Sequence, residues 1–136
     1  MIRAVLISQG HELTTGQTVD ANASWLAAQL WNLGIVVRRI ITVPDSLTDI
    51  RDSFIEAMNS AEIVICTGGL GPTEDDLTAE ALAQVLGKPL VSNSDVLQSI
   101  QEKFASRERT MNPANTKQAL VPDGVEPLAN TRGTAP

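Results

Sequence analysis

Three runs of strand length and near-continuous apolar character constrain this chain more than any other feature: IRAVLIS at residues 2–8, IVVRRIITV at 35–43 and EIVICT at 62–67. A strand with one face in water alternates apolar and polar residues, so the near-continuous IRAVLIS predicts a strand covered on both faces, while IVVRRIITV reads as a β-branched strand and EIVICT as a third. Segments of helical spacing separate them. Between the first two runs, Trp25, Leu26, Leu30 and Leu33 recur at helical intervals from Asn22 onward, and Gly34 stops the helix. Pro44 ends the second run, after which Ser46 and Asp49 form an S-x-x-D capping signature. The helix behind that cap shows an apolar face of Leu47, Ile50, Phe54 and Met58. Strand and helix in alternation build a mostly parallel sheet with helices on both faces.

Beyond the third run, Thr78 is placed as an N-cap with Glu80 in the first turn, opening a helix over AEALAQVL to Gly87. A further helix follows Ser94 with Leu97, Ile100 and Phe104 on one side. From Met111 the chain is rich in Pro, Asn and Gly and predicts loops with short strands, QALV among them. At 136 residues with 43% hydrophobic content, one packed domain is expected over residues 1–136. No apolar run nears the ~20 residues of a membrane span. The start MIRAVLISQG lacks the apolar stretch and cleavage site of a secretory signal, so a cytoplasmic protein is expected. Cys66 is the only cysteine and closes an apolar run, the place of a small buried hydrophobe.

A formal charge of −6 with scattered basic residues argues against nucleic acid or a membrane surface as partner. A small molecule fits better. In an open parallel sheet, ligands bind beyond the carboxyl ends of the strands. Two loops leave such ends here. SQGHELTTGQTVDAN, residues 8–22, is longer than the ~2 to 6 residues usual for such a connection. TGGLGPTEDDLT, residues 67–78, joins glycines able to wrap a phosphate to three adjacent acids that repel one.

At an effective dielectric near 20, a carboxylate ~5 Å from a phosphate charge costs about 3 kcal/mol. A helix N-terminus returns about 0.3 to 1 kcal/mol when exposed and up to ~2 when partly buried. The glycines do not win that contest alone. Either a divalent cation sits between acid and phosphate, or the acids accept hydrogen bonds from a donor-rich ligand such as ribose hydroxyls or a pterin. The plain alternative is that Asp75 and Asp76 only complement the start of a helix.

The arrangement S-x-G-x-E-L at Ser8 to Leu13, G-x-x-x-D-x-N at Gly16 to Asn22 and GGLGPTEDDLT at Gly68 to Thr78 resembles the molybdopterin-binding-like domain of molybdenum-cofactor biosynthesis proteins. The closer likeness, through GPTEDDLT, NPANTKQA and LANTRGTAP, is to the N-terminal domain of the CinA family. The resemblance implies a three-layer α/β/α domain and metal-dependent hydrolysis of the ADP-ribose pyrophosphate to AMP and ribose 5-phosphate. It assigns Asp75 and Asp76 as catalytic and metal carboxylates, holding Mg²⁺, Mn²⁺ or Co²⁺. Glu12, Asp20 and Asn22 then face the ligand from the first loop, with Gly68, Gly69, Gly71 and Thr73 as further substrate-binding positions. Lys117 is the implied counter-charge for a phosphate. The family pattern continues beyond GTAP with another strand and helix, so the domain is expected to be truncated at its C-terminal end. A deamidase domain found in many members lies outside this chain.

His11, the only histidine, is expected in a surface or loop-packing role rather than as a general base. Trp25 and Trp31 are expected to serve core or interface rather than a cofactor, with Trp31, off the main apolar stripe, the better interface candidate, so a homo-oligomer is expected. The alternative function is a pterin-binding module in which the same acids accept hydrogen bonds and no hydrolysis occurs.

Overall fold

In the computed structural model, which describes residues 1–136, the first apolar run becomes the central strand β1 (Arg3–Gln9). It pairs in parallel with β2 (Val36–Val43) on one side and β3 (Ile63–Thr67) on the other, giving the order β2-β1-β3. Helix α1 (His11–Thr14) and α2 (Ala21–Asn32) connect β1 to β2, and α3 (Leu47–Ser60) connects β2 to β3. The chain therefore steps one way from β1 to β2 and back across β1 to reach β3. Two right-handed crossovers taken in opposite directions place α2 and α3 on opposite faces of the sheet. Side-chain alternation along β1 agrees. Ala4 and Leu6 pack with Ala23 and Leu30 of α2, while Val5 and Ile7, fully buried, point to the other face. There α3 buries Ile50, Phe54 and Ala57.

Two helix starts follow directly from side chains. Ser46 accepts from the Asp49 N–H at 3.4 Å, as the S-x-x-D signature predicts. Asp20 accepts from the Ala23 N–H at 3.0 Å and so caps α2. The placing of Trp25 on the helix's apolar stripe is corrected, since it is 63% exposed. The stripe α2 gives the sheet is Ala23, Leu26, Ala27 and Leu30, and Trp25 stands about 200° round the helix from Ala23. Leu33 and Met58 are exposed for the same kind of reason, at the margin of their helices' buried faces.

Residues Met1–Gly69 form one compact unit and Leu70–Pro136 a second. The second contains α4 (Thr78–Leu86), β4 (Leu90–Ser92), α5 (Ser94–Ser106), a 3-10 helix over Pro113–Ala119 and β5 (Leu120–Pro122), with β4 and β5 antiparallel. Its core gathers Val96, Ile100 and Ala119 with Leu97, Phe104 and Met111 around them. The N-cap of α4 is Leu77, and Thr78 is the first helical residue, which corrects the expected boundary by one position. QALV divides: Gln118 and Ala119 end the 3-10 helix, and the strand begins at Leu120. Asn112 causes that division by accepting from the Ala114 N–H at 2.9 Å, with Pro113 pre-set for a helical start. The last residues are ordered by polar contacts, as Asn130 accepts from the N–H groups of Arg132 and Gly133 at 2.9 Å. Lys103 donates to the carbonyls of Asn130 and Gly133. No helix is long and apolar enough to cross a membrane.

Candidate functional site

With strand order 2-1-3, the connections diverge at the carboxyl ends of β1 and β3, and an open sheet forms its ligand crevice there. A cavity of about 290 Å³ occupies that place in the first unit. Gln9 ends β1, Thr67 ends β3, and both line it together with Glu12, Asp20, Asn22 and Gly68. Gly68 has φ +92, and a Cβ there would run into the carbonyl oxygen of Gln9. Only glycine lets the two strand ends approach so closely while turning left-handed. The first loop is pinned at its base, where Gly10 donates to the Val43 carbonyl at 3.1 Å and the His11 N–H donates to Asp45 Oδ2 at 3.0 Å. His11 thus acts through its backbone in packing the loop.

Asp20 is divided between two tasks. Its Oδ1 caps α2, while its Oδ2 is buried and has no protein hydrogen-bond partner. A buried carboxylate oxygen left open costs desolvation without return, so it marks a place where a donor belongs. The cavity lining carries two carboxylates, Glu12 and Asp20, and no Lys, Arg or His.

The second acid-bearing loop is built differently. Asp76 Oδ2 accepts from the Thr73 hydroxyl at 2.6 Å and from the Thr73 N–H at 2.8 Å. The Asp76 N–H returns a bond to the Thr73 carbonyl at 3.2 Å, and the carboxylate lies against Gly71, where a Cβ would meet Oδ2 at 2.6 Å. Burial pushes this carboxyl up, but the Thr73 hydroxyl and N–H, the Gly71 N–H and the Lys117 charge together hold it below the usual aspartate value. Lys117 donates to the Thr73 carbonyl, so the expected phosphate counter-charge is committed in part to the loop itself. Gln118 donates to the Leu70 carbonyl at 3.1 Å and is itself held by Asn115 and Thr134. Asp75 is exposed on the turn beside Glu74.

Nowhere do three His, Cys, Asp or Glu side chains gather as a metal cage. A hard ion such as Mg²⁺ keeps most of its waters and is commonly held by one or two carboxylates with substrate phosphates, and Asp75 and Asp76 are the residues that would hold one here. They do not suit a closed structural centre.

Of the positions read from sequence, Glu12, Asp20, Asn22 and Gly68 line the cavity of the first unit. Gly69 follows Gly68 at the end of that unit. Gly71, Thr73, Asp76 and Lys117 form one hydrogen-bonded and electrostatic cluster in the second. Sequence reasoning missed Gln9 and Thr67 as lining residues; their position as last residues of adjacent parallel strands is the signal that finds them. It also missed Gln118, whose buried amide spans from the 3-10 helix to the glycine loop.

The family profile described as a probable molybdopterin binding domain matches residues 5–135. A CinA-like protein of Anaeromyxobacter dehalogenans is 44% identical over 131 residues, 96% of this chain and 32% of its own length. The crystal structure of the protein CinA, of unknown function, from Thermoplasma acidophilum superposes with a TM-score of 0.92 at 36% identity, covering 98% of this chain and 78% of that one. The tungsten cofactor synthesizing protein MoaB from Pyrococcus furiosus shares the fold with a TM-score of 0.60 at 21% identity, over 78% of this chain and 64% of its own. The chain spans about half the length of the curated relatives it matches, or less.

Proposed function

The chain belongs to the family of probable molybdopterin binding domains, and within it to the CinA-like proteins, and from that premise we propose that it binds ADP-ribose and hydrolyses its pyrophosphate to AMP and ribose 5-phosphate with a divalent cation. The observation that carries the binding half is the cavity at the carboxyl ends of β1 and β3, lined by Glu12, Asp20 and Asn22. Glu12, Asp20 and Asn22 supply acceptors for ligand hydroxyls. Asp75 and Asp76 hold the cation, and Thr73 keeps Asp76 ionised and oriented through its two hydrogen bonds. The cation, when bound, offsets pyrophosphate charge and activates water. The test is incubation with ADP-ribose and Mg²⁺, Mn²⁺ or Co²⁺, followed by chromatography. Release of AMP and ribose 5-phosphate only with a cation, and its loss in Asp76→Asn, is expected. No AMP with any of the three ions sinks the hydrolase.

The second reading is pterin binding without hydrolysis. It is favoured by the acidic lining of Glu12 and Asp20, because a pterin presents N–H donors, and by a cavity of about 290 Å³, which suits a single ring system. Metal-free pterin binding without AMP release selects it. We also propose self-association, supported by the exposed Trp25 and Trp31 on α2. Sedimentation that gives a monomer at every concentration overturns it.

A further inference from the structure

We infer that Gln118 is a positioning residue for the acidic loop over residues 70–76, and that Thr134 sets that loop through it. This rests on the cation reading above and adds what holds Asp75 and Asp76 where a cation would meet them.

The loop belongs to no helix or strand, so its backbone groups find partners outside any ladder. Two successive side chains of the 3-10 helix supply them: Gln118 donates to the Leu70 carbonyl at 3.1 Å, and Lys117 donates to the Thr73 carbonyl. The same short stretch of backbone carries the Gly71 and Thr73 N–H groups that hold the Asp76 carboxylate. Moving the Leu70 carbonyl therefore moves the donors on which Asp76 is set.

Gln118 is fixed in its turn. A carbonyl only accepts, so the Leu70 contact requires the NH₂ of Gln118 to face the loop. Its Oε1 then receives Asn115 Nδ2 at 3.1 Å and the Thr134 hydroxyl at 3.0 Å. Two donors occupy both lone pairs of that oxygen, and the side chain is buried, so a lost partner is not replaced without cost. Thr134 is presented by a turn that is itself tied down. Asn130 donates to the Ala135 carbonyl at 2.8 Å, and Lys103 of α5 donates to the carbonyls of Asn130 and Gly133. The path from α5 through this turn and Gln118 to the acids is hydrogen-bonded at every junction. Groups that orient ligating side chains in this way commonly change metal affinity by about 10- to 100-fold when removed.

Hydrogen exchange of the ligand-free chain and calorimetric titration with Mn²⁺ test this in four variants. Gln118→Met keeps length and loses both hydrogen-bonding ends, Thr134→Val keeps shape and loses the hydroxyl, Thr134→Ser keeps the hydroxyl, and the fourth combines the first two. The Gly71 and Thr73 amides are expected to exchange about tenfold faster in Gln118→Met and in Thr134→Val, with Ile100 on α5 unchanged, and Mn²⁺ binding to weaken by a similar factor. Thr134→Ser is expected to match wild type in both. The double variant is expected to go no further than Gln118→Met, because the hydroxyl acts through the amide, whereas two independent losses of packing would multiply. If Gln118→Met folds poorly, the contrast between Thr134→Val and Thr134→Ser decides alone. Unchanged loop exchange in Thr134→Val, equal loosening in Thr134→Ser, multiplied effects in the double variant, or loosened amides with undiminished Mn²⁺ affinity each overturns the inference. Mn²⁺-dependent AMP release beside unchanged loop exchange leaves the hydrolase standing without Gln118. Gln118-dependent exchange in a chain that binds no Mn²⁺ removes the cation reading and sustains Gln118 as the brace of the loop.

Discussion

The two acid-bearing loops use their carboxylates in opposite ways. Asp76 spends Oδ2 on the hydroxyl and N–H of its neighbour Thr73, so the loop over residues 70–78 is held shut by its own acid. Asp20 spends Oδ1 on a helix start and leaves Oδ2 buried with no protein hydrogen-bond partner. Their glycines differ in parallel, because Gly68 presses on the Gln9 backbone whereas Gly71 presses on the Asp76 side chain. Acids beside glycines therefore offer a ligand unequal numbers of free lone pairs. What distinguishes the two is how many of its lone pairs the fold has already used.

The comparison breaks first, and with the largest effect, at Gly68. Gly68→Ala combines φ +92 with a Cβ driven into backbone, and a loss of about 3 kcal/mol or more in urea denaturation is expected. A loss under about 1 kcal/mol means the ends of β1 and β3 can part at little cost. Next comes Asp76→Asn, which weakens two charge-assisted bonds at once and is expected to cost about 1 to 2 kcal/mol. Its pH signature is sharper than its size. Because the Asp76 carboxyl is held below its ordinary 3.8, its contribution is complete above that value and is lost as pH falls through the lowered one. The gap between wild type and Asp76→Asn should close in acid denaturation series below that point.

Asp20→Asn is the converse case, expected to move stability by no more than about 0.5 kcal/mol because the cap survives, whereas Asp20→Ala costs about 1 kcal/mol. A large loss in Asp20→Asn makes the two acids alike and removes the contrast. The smallest effect belongs to Glu62, an exposed carboxylate that the Arg3 guanidinium holds at about 2 through hydrogen bonds and charge. Its share of stability is present above its ordinary 4.5 and lost as pH falls toward about 2. Glu62→Gln should change melting only slightly, and added salt should remove even that difference.

The sheet was legible because its signals are long and redundant. IRAVLIS leaves no face for water and is buried from Ala4 to Gln9, IVVRRIITV shows its β-branched strand character although Arg38, Arg39 and Ile40 are exposed, and Ser46 with Asp49 marks a helix start that the structure reproduces. The short elements were not, since three residues such as Leu90–Ser92 complete no period and are fixed by pairing with Leu120–Pro122. Trp25 misled because a tryptophan near a helical stripe looks like core until the sheet fixes which 100° of the helix is covered. Among site residues, the glycines and acids announced themselves by type. The division of labour inside Asp20, and the capture of Asp76 by Thr73, depend on distances of a few tenths of an ångström that no spacing records.

Cys66 on β3 immediately precedes Thr67 at the cavity wall, and burial pushes its thiol up to about 12. At neutral pH on the order of one thiol in 10⁵ is then the reactive thiolate. Cys66 is partly buried, so loosening of β3 is expected to speed its labelling, and there is no second cysteine to confuse the reading. The chain thus carries its own clock for the opening of the crevice wall. Any molecule that seats only in the closed crevice slows that clock by the factor 1 + [L]/Kd, so affinity can be timed without knowing what chemistry follows.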